Sequence, residues 1–154
     1  ALMDRLIVDD GLAKVIDLGY HAFDEFFGMI AEIGFIKEAA RSNVAPVVLF
    51  VADSDRVSTR GYHTLRETLP PNALVIVDNE YVLRGDLPET FMHGQLMRVA
   101  VLPAFLKSYI ERLTFSFTNY LRTEKDTSTE LHQWIRSNYF SFREIVQRLA
   151  QQQE

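Results

Sequence analysis

Acidic and amide side chains follow three of the apolar runs in this sequence, at places where strands would end. Asp17 lies within the segment VIDLG, and Asp53 and Asp55 follow the segment PVVLFVA. Asn79 ends the segment LVIVDN. In open α/β sheets, ligands bind outside the carboxyl ends of the strands. A carboxylate there can hold Mg²⁺ or one of its waters, and an Asn amide offers a nucleobase both a donor and an acceptor. A metal ion and a nucleobase are therefore ligands that these positions could bind.

The same residues also have structural uses that need no ligand. Asp17 and Asn79 can end a strand as turn residues, and either Asp55 or Ser54 can cap a helix that we expect to begin near Val57. Asp53 and Asp55 also allow a second chemical interpretation, because two carboxylates with this spacing can chelate a divalent ion. Nucleotide-sugar glycosyltransferases use such an Asp-x-Asp pair. The sequence leaves these alternatives open.

Four short runs rich in β-branched residues predict the strands that would position these side chains. They cover residues 13–18, 46–52, 73–77 and 97–102. Their hydrophobicity is continuous rather than alternating, which is typical of strands buried on both faces of a parallel sheet. We therefore expect an α/β fold with a mostly parallel sheet of about four strands, flanked by helices and followed by a helical C-terminus.

Helical spacing of apolar residues predicts the segments between and after the strands. The predicted helices cover residues 20–41, 57–69 and 106–121, with a short helix at 89–94 inside a loop over 78–95. Near the C-terminus, Thr127-x-x-Glu130 and Ser141-x-x-Glu144 have the pattern of capping boxes. We expect these two motifs to open two separate terminal helices.

Composition excludes several classes of protein. The chain of 154 residues has no cysteine, which excludes a disulfide scaffold and a cysteine-ligated metal site. Hydrophobic residues make up 47% of it and the net charge is only −5, which excludes disorder as the main state. The sequence lacks the uninterrupted apolar run of about 18 residues that spans a bilayer. We expect one cytoplasmic domain over residues 1–154.

Charge is divided unevenly along the chain. Residues 1–97 carry a formal charge of −7 and residues 98–154 carry +2. A slightly basic C-terminal third is typical of a solvated helical surface, and it could also contact nucleic acid or an acidic partner. The residues that would make such a contact are Arg122, Lys125, Arg136, Arg143 and Arg148.

The order of the predicted elements resembles one protein family. A strand containing Asp17, a long helix, and strands that end before Asp53, at Asn79 and before Pro103 look like the C-terminal two-thirds of a ParA/MinD-type deviant-Walker P-loop ATPase. The resemblance covers roughly residues 10–110. It implies that Asp17 supports Mg²⁺, that Asn79 lies near the adenine base, and that Pro103 and Ala104 pack on that base. Such ATPases form nucleotide-sandwich dimers and position DNA or protein cargo.

The sequence departs from this family where the phosphates would bind. The family has a first strand and a phosphate-binding loop before the strand of Asp17, whereas only about ten residues precede it here, and the motif Gly-x-x-x-x-Gly-Lys-Ser/Thr does not occur. We therefore expect ATP and Mg²⁺ to bind only with a loop from outside this chain, and this chain alone not to hydrolyse ATP.

Two interpretations of the whole chain follow from this departure. The chain is either a fragment or degenerate relative of a larger P-loop-type domain, or a non-catalytic α/β module that binds other proteins. In both cases a sheet that lacks its first strand has an open side. We expect a second copy of the chain or another partner to cover that side.

Overall fold

The computed structural model describes residues 2–92 and 94–151, and its centre is a three-stranded parallel sheet. The strands are β1 (Val48–Val51), β2 (Leu74–Asn79) and β3 (Gln95–Val99), in the order β1-β2-β3. Val48 pairs with Leu74, and Val75 pairs with Gln95. The predicted parallel α/β architecture is therefore confirmed, with β2 as the central strand.

The fourth predicted strand, over residues 13–18, is not part of this sheet. Residues 12–19 have no regular secondary structure, and Val15 is 92% exposed. A strand needs a neighbour for its backbone hydrogen bonds, and none of the described strands lies beside this segment. The β-branched composition of residues 13–18 alone is not enough to form a strand. The other three predicted strands are present with boundaries shifted by one to three residues.

The predicted helix over residues 20–41 is divided in the structure. A 3₁₀ turn at Tyr20–Ala22 leads into α2 (Phe23–Glu32), and α3 (Phe35–Arg41) follows after a break. Gly34 produces the break, because its backbone has φ +63°, a left-handed conformation that favours glycine. The first helix, α1, is the short segment Leu2–Leu6.

The helix predicted over residues 57–69 is α4 (Arg56–Thr68), one residue earlier than expected at each end. Pro71–Ala73 form a 3₁₀ turn that leads directly into β2. The loop between β2 and β3 contains a 3₁₀ turn at Glu89–Phe91, where a short helix was predicted.

The C-terminal helices differ from the prediction in two ways. The stripe over residues 106–121 forms two helices, α5 (Ala104–Ile110) and α6 (Phe117–Thr123). A single helix, α7 (Glu130–Gln151), replaces the two predicted terminal helices. Thr129 is its cap, because its Oγ1 accepts from the His132 N–H at 3.2 Å. Ser141 lies inside α7 and donates its hydroxyl to the Ser137 carbonyl at 3.1 Å.

Helices cover the two faces of the sheet unequally. The α4 face carries Phe50 and Ile76, which belong to a large core with residues of α2, α3 and α4. The opposite face, here called the α7 face, carries Val75 and Met97, which pack against Ile145 of α7. A third apolar cluster joins α7 to the α5–α6 region.

Among the described residues, no helix combines the length and hydrophobicity needed to cross a membrane.

Candidate functional site

The carboxyl ends of the three strands lie at one edge of the sheet, because all three strands run in the same direction. Asp53 and Asp55 follow β1, Asp78 and Asn79 end β2, and Pro103 follows β3. Ligands bind at this edge in open α/β sheets. The edge is therefore the candidate site.

Asp53 and Asp55 both form hydrogen bonds at the start of α4. The Asp55 carboxylate accepts from the Ser58 N–H at 2.6 Å and is the N-cap of the helix. Asp53 accepts from the Ser54 N–H at 2.7 Å, and the Asp53 N–H donates to the Ser58 hydroxyl at 2.9 Å. The structural alternative for Asp55 is thus confirmed. Within residues 2–92 and 94–151, no group of three or more His, Asp or Glu side chains is placed to hold a metal ion.

Asp78 is the buried carboxylate of the site. It lies on the central strand on the α4 face and is only 9% exposed. Its Oδ1 has no hydrogen-bond partner among the described residues. A buried polar atom without a partner costs roughly 1–3 kcal/mol. Such a group is uncommon in a folded protein, and one use for it is to bind a ligand.

Asn79 forms the turn that follows β2. Its Oδ1 accepts from the Tyr81 N–H at 3.0 Å, and its carbonyl accepts from the N–H groups of Val82 and Leu83 at 2.9 Å. Among the described residues its side-chain nitrogen has no hydrogen bond. The predicted use of Asn79 as a turn residue is therefore present.

Glu80 connects the ends of β2 and β3. Its N–H donates to the Val99 carbonyl at 3.0 Å, and its Oε2 accepts from the Val101 N–H at 2.9 Å. Its Oε1 lies 2.7 Å from Nη2 of Arg98. The hydrogen bond from Val101 and the charge of Arg98 lower the pKa of Glu80 below its ordinary value. The role of Glu80 is not evident from the sequence, since its partner Val101 is 21 residues further along the chain.

Pro103 and Ala104 begin α5 beside the turn of Asn79. Pro103 is the N-cap residue, and its carbonyl accepts from the Lys107 N–H at 2.9 Å. The ammonium of Lys107 lies 3.9 Å from the centre of the Tyr81 ring. This cation–π contact holds the start of α5 close to the β2 turn. This contact places the start of α5 near the turn after β2, but no hydrogen bond joins Asn79 to Pro103 or Ala104, and their contact with a base stays a prediction.

Among the described residues, Asp17 has no hydrogen bond or ion pair with the residues at the carboxyl edge of the sheet. It is exposed, and it belongs to the irregular segment that precedes the 3₁₀ turn at Tyr20–Ala22. The structure therefore supplies no contact between Asp17 and the carboxyl edge of the sheet.

The five basic residues predicted to bind nucleic acid or a partner are dispersed. Arg122 lies on α6 and donates to Asn119 at 3.2 Å, and Lys125 follows that helix. Arg136 and Arg143 are seven residues apart on α7 and share one flank, whereas Arg148 lies on another. They do not form one basic patch.

The chain matches no protein-family model, no curated protein and no solved structure in the comparisons made with each.

Proposed function

We propose that this chain is the carboxyl-terminal part of a nucleotide-binding domain of the ParA/MinD type. The strand order carries the proposal. In a doubly wound sheet, successive strands run outward from a switch point, and the ligand binds there. The order β1-β2-β3 is compatible with such an outward run, in which β1 would be the innermost strand. The second half of the sheet would then join at the outer edge of β1, which no described strand covers.

The uncovered part of the α7 face supports the same arrangement. Leu49 and Val51 of β1 lie on this face and are 42% and 48% exposed. On α7, Tyr139 and Val146 are also exposed and are seven residues apart, so they share a flank. Trp134, Ser141 and Arg148 form the opposite flank, which lines a groove beside β3. The flank of Tyr139 and Val146 therefore faces β1, and these four apolar residues form what we call the open shelf.

The handedness of crossover connections explains why the shelf would be covered by a helix. The connection from β1 to β2 places α4 on the α4 face. Strands added beyond β1 extend the sheet in the opposite direction, and right-handed connections then place their helices on the α7 face. A strand and helix from outside this chain would thus cover the edge of β1 and the open shelf together.

The proposed roles of the site residues follow from this arrangement. Asn79 offers its side-chain amide to the adenine base, and Pro103 with Ala104 packs against it. Asp17 supports Mg²⁺ once its segment pairs with the added strand. The phosphate-binding loop comes from outside the 154 residues, so this chain alone does not hydrolyse ATP.

Nucleotide binding by the protein isolated from its source cells tests the proposal. Its intact mass is measured first, and we expect it to exceed 17.7 kDa by at least one strand–helix unit. A fluorescent ATP analogue should then bind with Mg²⁺. Asn79→Ala should weaken binding by roughly five- to hundredfold, because it leaves a base atom unpaired. Asn119→Ala, on α6, is the matched control and should bind normally. A larger protein that binds no ATP analogue, or equal affinity for Asn79→Ala, would overturn the proposal.

A non-catalytic module that binds another protein is the second candidate. The open shelf favours it, since exposed apolar patches beside an uncovered strand are typical of interaction surfaces. A natural mass of 17.7 kDa together with no nucleotide binding would make this the better interpretation. The Asp-x-Asp glycosyltransferase receives no support from the site, because Asp53 and Asp55 are engaged at the start of α4.

A further inference from the structure

The outer edge of β3 carries unpaired backbone groups. The Val99 carbonyl accepts from the Glu80 N–H, so the backbone of Val99 faces β2. Backbone direction alternates along a strand of a parallel sheet. The N–H and C=O groups of Leu96 and Arg98 therefore point away from the sheet. None of these four groups has a hydrogen bond within the part of the chain that the structure describes.

A groove of about 350 Å³ runs beside this edge, between β3 and α7. Ser137, Ser141 and Arg148 line its helical side, and Leu96 and Arg98 line the strand side. The groove thus offers both a strand edge and a helical wall, which is the geometry that peptide-binding domains use for strand addition.

Trp134 shows that the edge can accept an added donor. Its Nε1–H donates to the Ala100 carbonyl at 2.7 Å. Ala100 is two residues beyond Arg98, so this carbonyl also belongs to the outward-facing set. The indole occupies the place that the next strand would take, and it closes the groove at that end. Two outward residues, Leu96 and Arg98, remain open.

We propose that an extended peptide with an acidic side chain binds in this groove as a fourth strand next to β3. The backbone of the peptide pairs with Leu96 and Arg98, and about four residues suffice to cover them. Charge selects the acidic side chain at Arg148 on the helical wall, since Arg98 is already paired with Glu80 at 2.7 Å. Arg148 is available for this contact, since its 3.7 Å ion pair with Glu144 is long and exposed. This proposal is independent of nucleotide binding.

Amide hydrogen exchange on the full 154-residue chain tests the proposal. The probe is the blocked peptide acetyl-Thr-Val-Glu-Val-Thr-Val-amide. At saturation, the amides of Leu96 and Arg98 should exchange at least about tenfold more slowly, because they gain hydrogen bonds. The same peptide with alternate N-methylated residues should give no protection, since it lacks the required donors.

Two variants separate groove binding from other effects. Ser141→Trp fills the groove and should abolish the protection, whereas Ser128→Trp, in the loop before α7, should leave it intact. Arg148→Glu changes only an exposed side chain, so the fold is retained. The parent chain should bind the glutamate peptide roughly two- to fivefold more tightly than the same peptide with lysine in place of glutamate. Arg148→Glu should bind the lysine peptide more tightly, by a similar factor.

Three results would overturn the proposal. The first is that neither the glutamate peptide nor the lysine peptide protects Leu96 and Arg98. The second is equal protection in Ser141→Trp. The third is protection that rises with protein concentration in the absence of peptide, together with a dimeric mass, because a second copy would then occupy the edge.

Discussion

At the scale of single residues, Asp55 shows how one carboxylate can be explained by capping alone. We expect Asp55→Ala to lower the free energy of unfolding by about 1 kcal/mol, since the start of α4 loses the acceptor for the Ser58 N–H. Asp55→Ser should retain most of the stability. Urea denaturation measures the stability of both variants. Asp86→Ala, which changes an exposed loop residue, is the control. A loss of stability equal in Asp55→Ala and Asp86→Ala would contradict the capping role.

For Asp78 we expect no loss of stability on substitution, because its carboxylate has no hydrogen-bond partner at Oδ1. Asp78→Asn keeps the size of the side chain and breaks no hydrogen bond at that atom. Stability in denaturant should stay equal or rise by roughly 1 kcal/mol. A loss above about 2 kcal/mol would mean that the carboxylate is satisfied within the fold and is not held for a ligand. Asp86→Asn, on the surface, should change nothing.

Glu80 makes part of the stability depend on acid pH. The hydrogen bond from Val101 and the charge of Arg98 lower its pKa in the folded state. Its contribution is therefore complete above the ordinary value of 4.5 and is lost as the pH falls through the lower folded pKa. Glu80→Gln should be less stable than the parent at pH 7, and the difference should vanish at low pH. A difference independent of pH would exclude this linkage.

The choice between Asp78 and Asn79 illustrates what sequence reasoning misses at this scale. Both residues end the same apolar run, and their types suit ligand binding equally well. Only the strand register shows that Asp78 faces the α4 side and is buried there. Residue type and spacing predicted the edge of the sheet, whereas burial depends on elements far away in sequence.

At the scale of elements, the division between α2 and α3 depends on one backbone conformation. Gly34→Ala should destabilise the chain by about 1 kcal/mol, because alanine is strained at φ +63° even though open space surrounds the position. Gly28→Ala is the matched control inside α2, where a Cβ also meets no atom. It should stabilise the chain by about 0.5–1 kcal/mol through helix propensity. Thermal denaturation compares the two variants, and a stability change of the same sign in both would contradict the role given to the left-handed conformation of Gly34.

The strands show why three of the four were predicted correctly while their number was not. Residues 46–52 and 13–18 have the same β-branched character, but only the first segment has a neighbouring strand in the structure. Pairing is a long-range property, so a local pattern cannot supply it. The single α7 was missed for a related reason. Ser141 fits a capping pattern, but its hydroxyl is satisfied by the Ser137 carbonyl within a continuous helix.

At the scale of the whole molecule, the sheet has two unlike edges. The edge of β1 adjoins the open shelf, where large apolar side chains are exposed and a strand–helix unit would fit. The edge of β3 adjoins a groove that is mostly polar on its helical side, and Trp134 already closes one end of it. An apolar shelf suits a permanent part of a domain, and a short polar groove suits an exchangeable peptide.

The open shelf leads to a prediction about two forms of the protein. In the 154-residue chain, Leu49→Lys should change stability by less than about 1 kcal/mol, since the side chain is already 42% exposed and can keep its charge in water. In the protein isolated with the proposed strand and helix in place, the same change buries a charge under that helix. The cost there should be about 3 kcal/mol or more. Denaturation of both forms measures the difference, with the fully exposed Leu113 changed to Lys as the control in each. Equal, small effects of Leu49→Lys in the two forms would mean that no helix covers the shelf, and the switch-point arrangement would then be wrong.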